Sequence, residues 1–315
     1  MESMDCEPRR SLRRLTNPQS LEERLWWMHK DKGWRFVLPA VVVLAAVVMF
    51  PFLFSLYISF TESTAYNIYR GRFVFFDNYI SLFRDVKFLD SMRVTALYVL
   101  FAVAIETVVG TALALLIDAL PKGRKIFMVL LILPMMVAPL VYGIIFKLAY
   151  NSIYGIIPVA FRDLFGVELN ILNRPFSALM AMVVVDAFQW TSFVFLIVFS
   201  ALQALPREPF EAALIDGASY WKSVWYITLP LLRPVMGVVL IFRIMDSFKV
   251  FDQIFAITGG GPGTATTTMS LYTYFLMFTR YNFGRAAALT IVILIAVTLI
   301  SRVVFRTVYR EVSYQ

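Results

Sequence analysis

Six long apolar runs, near 37–60, 91–117, 126–148, 176–201, 234–257 and 284–305, restrict this chain more than any other feature it has. Each reaches the ~20 residues that a helix needs to cross a hydrocarbon core. A spanning strand would be about half as long with alternating polarity, and no such alternation occurs, so the runs predict helices. Composition agrees: 60% of residues are hydrophobic and 16% charged, where a soluble domain carries about 25% charge. The expected architecture is an all-α integral membrane protein with six transmembrane helices. It comprises a basic tail, residues 1–35, and a membrane domain, residues 36–315. The stretch 269–278 is apolar but too short to span, and reads as a helix lying at the outer mouth. Pro51, Pro134 and Pro139 fall inside runs and predict kinks.

The net charge of +8 does not signal nucleic acid, because the basic residues flank the apolar runs. Lys and Arg gather in the tail, the 121–125 turn, the 207–233 loop and the C-terminus, which predicts that both termini and the 207–233 loop are cytoplasmic. The first outer loop also holds Arg70, Arg72, Arg84 and Lys87, so orientation leans partly on the loop motif below. The tail reads as partly helical near 21–28, with Trp26, Trp27 and Trp34 at the membrane interface. Cys6 and His29 are each alone, which predicts no disulfide framework and no metal site.

The loop between the fourth and fifth runs reads EAALIDGASYWKSVWYITLP over 211–230. Glu208, Pro209 and Glu211 suit the first turn of a short helix. Gly217 supplies the positive-φ stop, and Ser219 is placed to cap a second helix that Pro230 should break. Ala212, Ala213 and Ala218 permit close approach, while Trp221 and Trp225 offer anchors. On residues alone this is either a docking hairpin or a folded loop.

Polar residues inside spans face cavities or partner helices. Asp186, Gln189, Trp190 and Phe193 share one helical face, as do Arg243, Asp246, Ser247 and Gln253 on the fifth run. Asp252 points away and is placed to pair with Lys249. A carboxylate, an amide and aromatic plates on one wall suit a neutral polyhydroxylated ligand. The alternative is that Arg243 and Asp246 neutralise each other and Trp190 packs on a partner. Glu106 reads as a structural hydrogen bond to a neighbouring helix. The 258–263 stretch, TGGGPG, reads as a flexible outer turn and not a phosphate loop, and no Walker sequence occurs.

Glu211-Ala212-Ala213, Gly217 and Ile227-x-Leu229-Pro230 resemble the EAA loop of binding-protein-dependent ABC importer permeases. The resemblance implies that the 207–230 loop couples to a cytosolic ATPase through Glu211, Ala212, Ala213, Asp216, Gly217, Ile227, Leu229 and Pro230. The fifth run and its exit, FRIMDSFKVFDQIFAITGGGPGTAT, resemble the carbohydrate uptake transporter 1 branch, MalF-related, with permeases for trehalose, glycerol-type solutes and polyols. This places family sugar-contacting positions at Asp186, Trp190, Phe193, Ile241, Arg243, Ser247, Val250 and Asp252. Trp190 stands where the maltose pattern has a glycine, and fills space that a long oligosaccharide would use.

The resemblance further implies a second homologous permease, two ATPase subunits and an external solute-binding protein, in a bacterial cytoplasmic membrane. Such a chain is a transport subunit and not an enzyme. It binds no cofactor itself, and ATP and Mg belong to the partner subunits. The rival reading is an ion-coupled secondary transporter using Glu106 and Asp186, which predicts inverted repeats that the sequence does not display.

Overall fold

The computed structural model describes residues 18–68 and 70–310; the first seventeen residues of the basic tail and the last five residues of the chain lie outside them. The chain divides into two compact units, residues 1–57 and 58–315. The described residues of the first belong to one helix, α1 (Pro18–Ser59), which includes the apolar span Phe36–Ser59. It runs unbroken through residue 35 and carries Pro39 and Pro51 inside it.

The second unit opens with a short antiparallel pair, β1 (Thr61–Glu62) and β2 (Arg72–Phe73), with Thr61 opposite Phe73. Then follow α2 (Asp77–Phe83), α3 (Val86–Asp118), α4 (Arg124–Ile132), α5 (Pro139–Ala149), α6 (Ile156–Phe165) and α7 (Pro175–Gln203). After these come α8 (Glu208–Ile215), α9 (Tyr220–Ser223), α10 (Leu229–Ser247), α11 (Asp252–Ile257), α12 (Met269–Tyr274) and α13 (Phe283–Arg310). Among the described residues five helices are long and apolar enough to cross a membrane, or six if the bent pair containing α4 and α5 is one span.

α3 and α7 form the central pair. Tyr98, Ala102 and Val103 pack in one buried cluster with Met182, Val183 and Val185. Further along, Gly110 lies so close to Val194 that a β-carbon there would come within 2.7 Å of the valine's own. Glycine is what lets the two backbones meet.

Two spans depart from the sequence expectation. The third is not merely kinked: Arg124–Met136 and Pro139–Ala149 meet at 93°. Pro134 and Pro139 bracket that corner, and each lacks the N–H that would continue the helical ladder. The fifth starts earlier than 234, running from Tyr220 to Ser247, so Pro230 does not end the helix. A π-turn over Val224–Thr228 resets the hydrogen-bond register, and Pro230 falls in the first turn of α10, where its missing donor is not needed. At its other end this span stops at Ser247, and residues 252–257 fold separately as α11.

The 258–263 stretch is a closely bonded turn and not a loose one. Thr258 and Thr266 hydroxyls meet at 2.7 Å, Thr267 donates to the Gly260 carbonyl at 3.1 Å, and Thr266 is fully buried. The threonines satisfy backbone groups that the glycines leave free. The short apolar segment after it does fold as expected, into α12 with a π-turn over Phe275–Thr279.

Candidate functional site

The fifth span brings one guanidinium into the middle of the helix packing. Arg243 is 1% exposed and Glu106 is 0% exposed. A buried charge is tolerated only when paired and hydrogen-bonded, and all three guanidinium nitrogens of Arg243 donate. Its Nε donates to Glu106 at 2.5 Å, and Nη2 donates to the other Glu106 oxygen at 2.9 Å. Nη2 also reaches Asp186 at 3.0 Å and Ser247 at 3.2 Å. Nη1 donates to Asp246 at 2.9 Å, and the guanidinium lies 4.8 Å from the Trp190 ring centroid. Three helices, α3, α7 and α10, are thereby tied through one side chain. Glu106 makes the interhelical bond expected of it; that Arg243 is its partner was not foreseen.

A second polar relay sits beside it. Gln253 donates to the Gln189 carbonyl oxygen at 2.5 Å, and the Gln189 amide donates to the Val137 main-chain carbonyl at 2.6 Å. Val137 is the corner of the broken third span, so Gln189 caps a carbonyl that the break leaves without a helical partner.

The sequence-based solute face is thus divided. Asp186 and Gln189 are buried and bonded within the packing instead of lining a cavity. Arg243 and Ser247 are likewise enclosed. Trp190, Phe193, Ile241 and Val250 are half-buried, and the Asp246 side chain is 44% exposed. Asp252 is exposed on α11, and Lys249 lies 3.9 Å from Asp246, not paired with Asp252. The break after Ser247 turns α11 away from the helical register that predicted their pairing, and it puts Gln253 on a different element from Arg243.

The loop after α7 forms the expected helix–turn–helix. Glu208 and Glu211 lie in the first turn of α8, and Gly217 stands at φ +70°. Gly217 N–H bonds the Leu214 carbonyl and Ala218 N–H bonds the Ala213 carbonyl, the paired closure that a left-handed glycine allows. Ser219 has extended backbone at the start of α9, but its hydroxyl makes no capping bond. Leu214 and Ile215 are 77% and 86% exposed, and Trp221 and Trp225 are 67% and 65% exposed. Glu211, Ala212, Asp216 and Pro230 are also exposed, while Ala213, Ile227 and Leu229 are half-buried. Beneath the hairpin a cavity of about 560 Å³ is lined by Glu211, Leu214, Tyr220, Asp118, Arg124 and Gln203. Gln203 donates to Asp118 at 2.6 Å and Arg124 bonds both Asp118 oxygens, side chain and main chain, which binds the α7 end to the turn before α4.

Residues 106–313 match the family described as binding-protein-dependent transport system inner membrane component. The chain belongs to that family. This permease is 35% identical over 265 residues to the trehalose/maltose transport system permease protein MalF of Thermococcus litoralis, covering 84% of this chain and 88% of the relative. It is 31% identical to the multiple sugar-binding transport system permease protein MsmF of Streptococcus mutans, covering 87% and 94%. It is 32% identical to the sn-glycerol-3-phosphate transport system permease protein UgpA of Yersinia enterocolitica, covering 89% and 94%. Its fold is that of a chain in a crystal structure of a bacterial ABC transporter importing the acidic polysaccharide alginate, at TM-score 0.79 and 19% identity, covering 91% and 99%. The architecture is the type I ABC importer permease, a multi-pass membrane protein.

At the end of the permease opposite the hairpin, Tyr272 donates to Asp85 at 2.5 Å and Arg280 donates to the Tyr272 hydroxyl at 3.1 Å. Burial alone would raise the Asp85 carboxyl. The Tyr272 hydroxyl, the Lys87 N–H and the charges of Arg280 and Arg285 outweigh it and hold the group below the usual aspartate range. Burial and the Asp85 carboxylate push the Tyr272 hydroxyl up to about 12.

Proposed function

We propose that this permease is one subunit of an ATP-driven importer that moves a sugar, polyol or small glycoside from an external binding protein into the cytoplasm. The observation that carries this reading is the α8–Gly217–α9 hairpin: an exposed, glycine-closed turn bearing Leu214, Ile215, Trp221 and Trp225 within a chain of the importer family. Exposed apolar groups clustered on a turn suit a protein partner. The partner of this hairpin is a cytosolic ATPase, two copies of which bind and hydrolyse ATP with Mg. A second homologous permease completes the path, and the hairpin and both termini are cytoplasmic. Glu211, Ala212, Ala213, Asp216, Gly217, Ile227, Leu229 and Pro230 form the coupling element. Relatives named for trehalose/maltose, multiple sugars and sn-glycerol-3-phosphate support a polyhydroxylated cargo. The solute-facing groups are Trp190, Phe193, Asp246 and Asp252, with Asp186, Gln189, Arg243 and Ser247 holding them in place.

The test is reconstitution with the binding protein, second permease and ATPase, measuring ATP hydrolysis and uptake against a carbohydrate panel. Hydrolysis stimulated by one neutral sugar or polyol is expected; hydrolysis that no saccharide alters would overturn the reading. Orientation is read separately in a Cys6→Ser background. An impermeant thiol reagent should reach Asn67→Cys in intact cells but not Ser11→Cys or Ser313→Cys, the last two lying outside the described residues.

A further inference from the structure

An anionic solute is bound in proteins by donors that are free to turn toward it, above all a guanidinium fork or an ammonium group. Arg243 has no such fork to offer. Its side chain is 1% exposed, Glu106, Asp186, Ser247 and Asp246 accept from its three nitrogens, and Trp190 lies over the guanidinium at 4.8 Å. Three carboxylates already surround this one cation. The nearby ammonium of Lys249 sits 3.9 Å from the remaining Asp246 oxygen. What the face still presents is the exposed Lys249 ammonium with the half-exposed Asp246 carboxylate that offsets it, beside the rings of Trp190 and Phe193, whose centroids lie 6.3 Å apart. A carboxylate accepts from hydroxyls and ammonium groups, and aromatic faces take C–H surfaces and cations.

We propose that this face passes neutral and cationic solutes and rejects anionic ones, with Asp246 as the residue that sets the discrimination. The inference narrows the proposed function and rests on it only for the sugar class. Rejection has two parts: like charge opposes the anion, and the Arg243 fork that could compensate it is buried and held by carboxylates. Removing the Asp246 charge has two effects. It takes away the like charge and leaves the exposed Lys249 ammonium without its carboxylate, so the surface then offers an unpaired cation to an incoming anion.

The experiment uses the assembled importer without its binding protein, so that only the membrane path selects, and reads bound probe by saturation-transfer NMR. Glucose, glucosamine and glucuronate form one charge series; glycerol and sn-glycerol 3-phosphate form a second, outside the sugars. In wild type the anionic member of each series is expected at about ten-fold lower occupancy than its neutral or cationic counterparts. Asp246→Asn should raise the anions toward parity, and Asp246→Glu should keep them out. Should Asp246→Asn fail to assemble, the wild-type series and Asp246→Glu still decide. Anions bound by wild type as well as neutral probes, or still excluded from an assembled Asp246→Asn importer, overturn the proposal. If no member of the glucose series binds while the glycerol pair sorts by charge, the sugar reading alone fails. Silence from every probe sinks both.

Discussion

The Gln189 side chain on α7 reaches the main-chain carbonyl of Val137, 2.6 Å away, at the 93° corner of the third span. Inside a membrane such a carbonyl has no water to turn to, and a donor from a neighbouring helix is its substitute. Gln189→Leu leaves both this oxygen and Gln253 without their partner. A cost of about 1–3 kcal/mol is expected for the stranded groups, read as a lower thermal midpoint of the assembled complex. An unchanged midpoint would show that the corner does not depend on Gln189.

Glu106 and Arg243 hold each other in a buried pair, so breaking it from one side strands a charge. Glu106→Ala and Arg243→Ala should each cost about 3–5 kcal/mol and deplete folded permease from the membrane. Glu106→Leu combined with Arg243→Met removes both charges at similar volume, leaving Asp186 and Asp246 as the local carboxylates. More folded permease is expected from this double variant than from either single. Quantifying assembled complex by size-exclusion chromatography settles it; a double variant no better than the singles contradicts the pairing argument.

Gly217 has φ +70° and open space around its missing β-carbon, so the penalty for a substitution there is conformational and not steric. Asparagine tolerates the left-handed region and valine does not. Gly217→Asn should retain most solute-stimulated ATP hydrolysis, while Gly217→Val should lose it with the chain still inserted. Equal activity in the two variants would disconnect the turn from coupling.

The Asp85 carboxyl is depressed in the folded protein, so its interactions add stability that is fully present above the ordinary aspartate value of about 3.9 and is lost as pH falls through the depressed value. Tyr272→Phe removes one donor to that carboxylate. At neutral pH it should lower stability by roughly 1 kcal/mol, less than the ~1.5–3 kcal/mol of a hydrogen bond to a charged group because the site is partly wet. The gap between variant and wild type should close as Asp85 protonates. Thermal midpoints from pH 7 to pH 3 test this, and a gap that stays constant throughout would remove Asp85 from the account.

The spans were legible because apolar length is a local property, and the Gly217 turn was legible because few residues accept its backbone. Helical spacing also placed Asp186 with Gln189 and Arg243 with Ser247 correctly on common faces. It could not say what each face met. Glu106 and Arg243 are 137 residues apart, and nothing local to either announces the other. The Pro230 rule failed because proline breaks a helix only where its N–H is demanded, and the π-turn before it removes the demand. The glycine-rich turn looked loose because its order comes from threonines several residues later.

The π-turn has a mechanical consequence. By keeping Tyr220 to Ser247 continuous, it makes the second helix of the hairpin and the helix bearing Arg243 a single crank, with no loop to absorb motion between them. At about 1.5 Å per residue, some 35 Å separate Tyr220 from Arg243. Pivoted at the hairpin, a swing of about ten degrees over that length carries the guanidinium roughly 6 Å, more than its bonds to Glu106 and Asp186 can follow. Either those helices travel with the crank, or the charge cluster lets go.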